Sequence, residues 1–145
     1  MSRDWSSIPK QTFLVEDGKV GDCWRCCIAA VLGLPAEEVP HFLQGDEDKY
    51  NPHCDADTQR WLNERGYVLT YAYSQGRTQR ALGFPCYSKE LPSVPLIAAG
   101  PTPRSRGLGK HHAVVMLDGH IVYDPHPSEA GLTAIAEEYL IFKPV

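Results

Sequence analysis

Cys23, His112 and Asp124 are the residue types of a thiol acyl-transfer centre, and each stands where the local sequence suits its part. Cys23 follows Gly21-Asp22 and opens the apolar run Cys23-Trp24-Arg25-Cys26-Cys27-Ile28-Ala29-Ala30-Val31-Leu32. A cysteine in the first turn of a helix meets unpaired backbone N–H groups and the positive end of the helix dipole. Asp22 is a capping residue type, so the expectation is a thiol biased towards thiolate. Such a nucleophile needs a base. His112 stands at the head of Ala113-Val114-Val115-Met116-Leu117, and Asp124 ends the next apolar run, beyond the Asp118-Gly119 turn. Cysteine, histidine and aspartate thus occur in chain order as nucleophile, base and orienting carboxylate.

The base is one of two adjacent histidines. Successive strand residues face opposite ways, so His112, Val114 and Met116 share one face, and His111, Val115 and Leu117 share the other. Both faces are apolar enough to be buried, and spacing alone leaves His111 and His112 both open. Asp-Gly between apolar runs is the clearest hairpin signal in the chain. Antiparallel pairing across it brings His112 and Asp124 to neighbouring strand ends.

The elements that must position these residues follow from periodicity and turn chemistry. The helix expected over Cys23 to Leu32 is apolar on nearly every face, which predicts burial, and Gly33 followed by Pro35 ends it. Residues 1–20 read as a polar arm leading to the site, with Thr12-Phe13-Leu14-Val15 its one extended piece. Pro35 to Pro40 reads as a short acidic helical turn, and 45–52 as a polar surface loop. Ala56 to Arg65 fits an amphipathic helix closed by Gly66, and Tyr67 to Tyr73 a strand whose three tyrosines, Tyr67, Tyr71 and Tyr73, face the core. Residues 76–93 read as a surface excursion and Val94 to Gly100 as a strand. The basic loop 101–110 is placed to gate the site, and Glu138 to Lys143 reads as the last strand. Helices first and an antiparallel sheet afterwards predict an α+β domain.

Length and composition bound the function. A chain of 145 residues, 43% of them apolar, is expected to form a single domain, 1–145, with one core. A formal charge of −4 gives no basic footprint for nucleic acid. No apolar stretch approaches the roughly 20 residues of a membrane span, and the first residues hold no apolar signal region. Five cysteines without an export signal predict free thiols and a cytoplasmic protein.

With the cysteine at a helix start, the histidine opening a strand and the aspartate ending the next, the chain resembles papain-like thiol hydrolases. Within that superfamily it is most similar to the bacteriocin-processing, double-glycine peptidase type. It also resembles small bacterial and phage proteins with a Gly-Asp-Cys start, a Leu-Gly-Leu-Pro-x-Glu-Glu-Val-Pro continuation (Leu32 to Pro40) and an Asp-Pro-His-Pro-Ser segment (Asp124 to Ser128). The resemblance implies a papain-like fold with a buried N-terminal helix carrying the cysteine against an antiparallel sheet. It implies Cys23 as nucleophile, His112 as general base and acid, Asp124 as the group that orients the imidazole, and no cofactor. Papain-like enzymes also place a glutamine shortly before the cysteine to hold the oxyanion. Here that spacing falls near Asp17, and Gln11 is the upstream glutamine available. The Cys23 backbone N–H supplies a further donor.

Three functions stay open on the residues. The first is a cysteine-dependent peptidase, isopeptidase or amidase acting on a peptide or protein substrate through a thioester. The second is a catalytically inactive binding protein of the same fold, which the missing near-cysteine glutamine favours. The third is a small metal or redox protein built on Cys23, Cys26 and Cys54 with His53, since Cys23-x-x-Cys26 has ligand-like spacing. Cys26 and Cys27 otherwise read as core thiols. Trp24 reads as a groove-lining or structural aromatic, His126 as a rigid loop residue near the cleft, and His41 and His120 as surface or packing residues.

Overall fold

The computed structural model describes residues 4–15, 19–45, 49–71, 94–105 and 111–144. Among these residues two α-helices, α1 (Cys23–Leu32) and α2 (Cys54–Glu64), precede the five strands of one sheet. Its strands are β1 (Val68–Tyr71), β2 (Leu96–Pro101), β3 (His111–Leu117), β4 (His120–Tyr123) and β5 (Glu137–Phe142), in the order β1-β5-β2-β3-β4. Every pairing is antiparallel, so the architecture is α+β. Among the described residues no helix is long and apolar enough to cross a membrane.

Both helices end as their sequences dictate. Gly33 takes the left-handed conformation at φ 75°, and the N–H groups of Gly33 and Leu34 return to Ala30 and Ala29 at 3.3 and 2.9 Å. Gly66, at φ 84°, ends α2 in the same way, with Gly66 and Tyr67 returning to Asn63 and Leu62. Both are Schellman closures, which need a residue without a Cβ penalty at that position. Cys54 begins α2, two residues before the Ala56 start expected from periodicity. The Asn51 side chain forms the turn ahead of it, accepting from His53 N–H and donating to Phe42 and Asp57.

The sheet is buried on both sides over β2 and β3. Ile97, Ala113, Val115 and Tyr123 pack with α1 residues Trp24, Cys27 and Ile28, while Leu96, Ala98, Val114, Met116 and Ile135 form a second cluster on the other face. Cys26 and Cys27 lie in the first cluster as core thiols. Tyr67 packs there too, half-buried; Tyr73 and the excursion 76–93 lie outside the described residues. Edge strand β1 is tied down by Gln59 of α2, whose amide donates to Leu69 O at 3.0 Å and accepts from Leu69 N at 2.9 Å.

The β3–β4 hairpin carries the detail on which the site depends. Asp118 and Gly119 have φ of 52° and 83°, the paired positive values of a two-residue loop that follows strand twist. Leu117 pairs with His120 and Met116 with Ile121, but Val115 pairs with Tyr123. Val122 is therefore an extra residue, a β-bulge. Opposed residues share a face, so Ile121 lies with Met116 and Tyr123 with Val115, on opposite sides of the sheet. Continued past Tyr123, the same register sets Asp124 on the face of Val114, which by alternation is also the face of His112. Without the bulge Asp124 would oppose Ala113 and face the other way.

Segment 131–136 then crosses β2 at close range, with Thr133 N–H on Pro101 O at 2.8 Å and Ala136 N–H on Ala99 O at 2.9 Å. Gly100, which pairs with His112, lies directly beneath it, and a Cβ there would fall inside the van der Waals limit of the Ala134 carbonyl. Backbone, not a flexible side chain, must yield. Gly100→Ala is expected to lower unfolding free energy by about 1–3 kcal/mol, the usual cost of overpacking, in urea denaturation. A loss below about 0.5 kcal/mol would show that the crossing is not this tight.

Candidate active site

The Asp124 side chain accepts three hydrogen bonds. Its Oδ1 accepts from His112 Nε2 at 2.7 Å and from the His126 backbone N–H at 2.9 Å, and its Oδ2 accepts from Gly131 N–H at 2.8 Å. Burial by itself raises an aspartate, but these donors, His112 first among them, outweigh it and bring the carboxyl down to about 2. An ionised carboxylate only accepts, so His112 Nε2 carries a proton and Nδ1 is the acceptor nitrogen of the neutral ring. His112 is buried and His111 exposed. The carboxylate pairs with His112, not with its neighbour.

His126 completes this group. Its ring is buried and stands edge-on to His112 at a centroid separation of 6.1 Å and 87°. His126 Nδ1 accepts from Ser128 N–H at 3.0 Å and meets the Ser128 hydroxyl at 2.8 Å, which fixes the ring's rotation. The loop residue expected near the cleft thus packs directly against the imidazole.

The N-terminal arm laces the Asp124 loop to α1. Tyr123 OH donates to Pro9 O at 2.6 Å, Lys10 Nζ donates to Asp124 O at 2.7 Å and pairs with Glu129, and Gln11 N–H donates to Pro125 O at 2.8 Å. Asp22 closes the other end. It makes no side-chain cap to α1; its Oδ1 accepts from Phe13 N–H at 3.0 Å, and its Oδ2 lies 3.5 Å from Arg25 Nε. Asp22 is a clasp for the arm, correcting its expected role as a cap. Gln11 is buried beside Gly21, with its side-chain amide donating to Phe13 O at 2.7 Å, and is not among the residues lining the Cys23 cavity.

Cys23 and His112 line one cavity of about 180 Å³, together with Trp24, Leu43, Cys54, Asp55, Ala99, His111, Ala113, Glu137 and Tyr139. Burial pushes the Cys23 thiol up to about 11, with the Asp22 charge adding to it. The backbone N–H groups of Ala113 and Trp24 and the charge of Arg104 oppose that rise without cancelling it. The expected thiolate is thus corrected: Cys23, itself buried, rests as a thiol, because desolvation outweighs the helix N-terminus. Cys54 shares the cavity and is likewise pushed up, to about 11, chiefly by burial.

Asp55, Glu137 and Tyr139 are not marked as site residues by the sequence, and Cys54 is marked there only as a candidate metal or redox ligand. The signal available was the helix start at Cys54, two residues ahead of the apolar periodicity, and the period-two face shared by Glu137 and Tyr139. Trp24 both lines the cavity and braces it, with its indole N–H on Thr58 Oγ1 at 3.0 Å. His41 stacks on Phe13 and bonds Val20 O, and His120 is exposed. Residues 106–110 of the basic loop lie outside the described residues.

Among the described residues no three histidine, cysteine or acidic side chains gather as a metal-binding group. Cys26 points into the core, while Cys23 and Cys54 face the cavity, so the ligand set Cys23, Cys26, Cys54 and His53 is not assembled. No protein-family model, curated protein or solved structure matches the chain.

Since folding lowers Asp124 from 3.8 to about 2, it adds stability above the unfolded value that is lost as pH falls through the folded one. Between pH 5 and pH 2 the wild type is expected to lose about 2 kcal/mol more unfolding free energy than Asp124→Asn in urea titrations. Parallel pH profiles for the two proteins would contradict the Asp124 assignment.

Proposed function

We propose that the chain is a papain-like cysteine hydrolase acting on amide bonds of a peptide or protein. Cys23 is the nucleophile, His112 the general base and acid, and Asp124 the orienting carboxylate. The observation that carries this reading is the buried His112–Asp124 pair, whose His112 lines the same cavity as a helix-start cysteine.

With a resting thiol near 11, proton transfer accompanies attack instead of preceding it. As the Cys23 S–C bond forms, the thiol proton passes to His112 Nδ1 while Nε2–H stays on Asp124. The C–N bond then breaks, and the leaving amine takes that proton from His112. Water gives a proton to His112 and attacks the thioester; the C–S bond breaks and the sulfur recovers the proton. Backbone N–H groups of the first turn of α1, that of Cys23 among them, donate to the developing oxyanion in this reading. The free thiols Cys23, Cys26, Cys27 and Cys54 suit a reducing compartment, so a cytoplasmic location belongs to the same reading.

A non-catalytic binding protein of the same fold is the second reading. It is favoured by the raised Cys23 thiol and by the commitment of the Gln11 amide to Phe13 O.

Acylation by p-nitrophenyl acetate separates the two. Cys54 is the internal reference, since it lies in the same cavity with its thiol raised to the same value. At neutral pH Cys23 is expected to acetylate far faster than Cys54 by peptide-mapped mass spectrometry, and His112→Ala to slow it by about 10²–10⁴-fold, the range for a lost general base. Equal rates at the two cysteines, or indifference to His112, would leave the binding reading.

A further inference from the structure

The cavity around Cys23 has a marked chemical asymmetry. Its lining includes two carboxylates, Asp55 and Glu137, and among the described residues no lysine or arginine. Asp55 is exposed in the first turn of α2 and has no ion-pair partner among the described residues. Its sequence neighbour Asp57 is paired with Arg60 at 3.3 Å. Glu137 opens β5, and its carboxylate accepts from the Tyr139 hydroxyl two residues on, so both project from the same face of the strand.

The same cavity has an apolar wall. Trp24 and Tyr139 meet edge to face at 4.9 Å and 72°, and Leu43 adds to them. Trp24 cannot swing away, because its indole N–H is held by Thr58, whose hydroxyl is itself anchored on Cys54 O at 2.7 Å. The space of about 180 Å³ is far above the roughly 10–15 Å³ that one water needs, so it takes a side chain.

An aromatic and aliphatic wall ending in uncompensated carboxylates matches one kind of side chain: a long apolar stem carrying a cation, the stem lying on the rings and the head reaching the acids. Among the described residues, few positive charges act on this cavity. Arg104 acts on the Cys23 sulfur from outside the lining and has partners of its own, and His111 and His112 are the basic groups within it. The chain's formal charge of −4 draws cations in the same sense.

We propose that this wall is a specificity pocket for a lysine or arginine side chain flanking the bond presented to Cys23, with Asp55 and Glu137 as its charge-reading residues. The inference rests on the hydrolase reading for the term substrate; the charge preference itself is a property of the cavity.

The test uses Cys23→Ser, labelled with ¹⁵N, so that binding is read without chemistry. Blocked tripeptide amides that differ only in a central lysine, arginine, norleucine or glutamate are titrated while the Trp24 indole N–H resonance is followed. The lysine and arginine peptides are expected to bind about tenfold tighter than the other two and to weaken with added salt. That preference is expected to fall to about threefold or less when Asp55→Asn or Glu137→Gln is added singly, which guards against a double variant that fails to fold. Equal binding of norleucine, tighter binding of glutamate, no binding by any peptide, or a preference untouched by either substitution would overturn the proposal. If the cation preference holds while Cys23 does not acetylate through His112, the hydrolase reading fails alone and a cation-selective binding site remains.

Discussion

Val122 is the extra residue of a β-bulge, and the arrangement around Cys23 turns on the sheet face to which that bulge assigns Asp124. A strand has period two, so one inserted residue moves everything after it to the opposite side. The bulge sets Asp124 on the side of His112 and lets Tyr123 stay in the α1 core with Val115. One local irregularity thus keeps the Tyr123 ring in the α1 core while the next residue gives its carboxylate to His112. The remaining contacts hold that result in place. His126 N–H and Gly131 N–H saturate the carboxylate, the His126 ring walls in His112, and the arm from Pro9 to Phe13 ties the loop back to Asp22 at the head of α1.

The same burial that fixes the His112–Asp124 pair works against a preformed thiolate. In the cavity, desolvation is the dominant influence on Cys23, and the helix N-terminus with the Ala113 and Trp24 N–H groups only moderates it. Asp22 adds negative charge beside the sulfur because its primary work is structural. The cost of holding the arm with a buried carboxylate is a less acidic thiol, which makes a well-oriented base more important. An imidazole whose Nε2–H is pinned by an ionised aspartate is such a base.

Much of the frame was legible in the sequence. The apolar run from Cys23 with Gly33 behind it could only be a buried helix with a Schellman end, and Asp118-Gly119 between apolar runs marked the hairpin, both because local chemistry decides them. Strand alternation separated the His111 and His112 faces correctly but could not choose between them. That choice lies in the bulge, and nothing in His120-Ile121-Val122-Tyr123, which lacks glycine and proline, announces one. The role of Asp22 was misread for a related reason: its partner, Phe13 N–H, arrives from an irregular arm, and the tertiary contact wins over the capping preference. Asp55, Glu137 and Tyr139 escaped, and Cys54 reads in the sequence only as a candidate metal or redox ligand, because α2 and β5 converge on Cys23 only in three dimensions.

The central claim is that Asp124, delivered by the bulge, fixes His112 as a base through its Nε2–H. Long-range ¹H–¹⁵N correlation spectra of the imidazoles, in the wild type and in a variant with Val122 deleted, test it directly. The account predicts His112 as the Nε2–H tautomer with Nδ1 unprotonated in the wild type, and loss of that single tautomer once the deletion turns Asp124 to the opposite face. A His112 protonated at Nδ1 in the wild type, or a tautomer unaffected by the deletion in a folded protein, would contradict it.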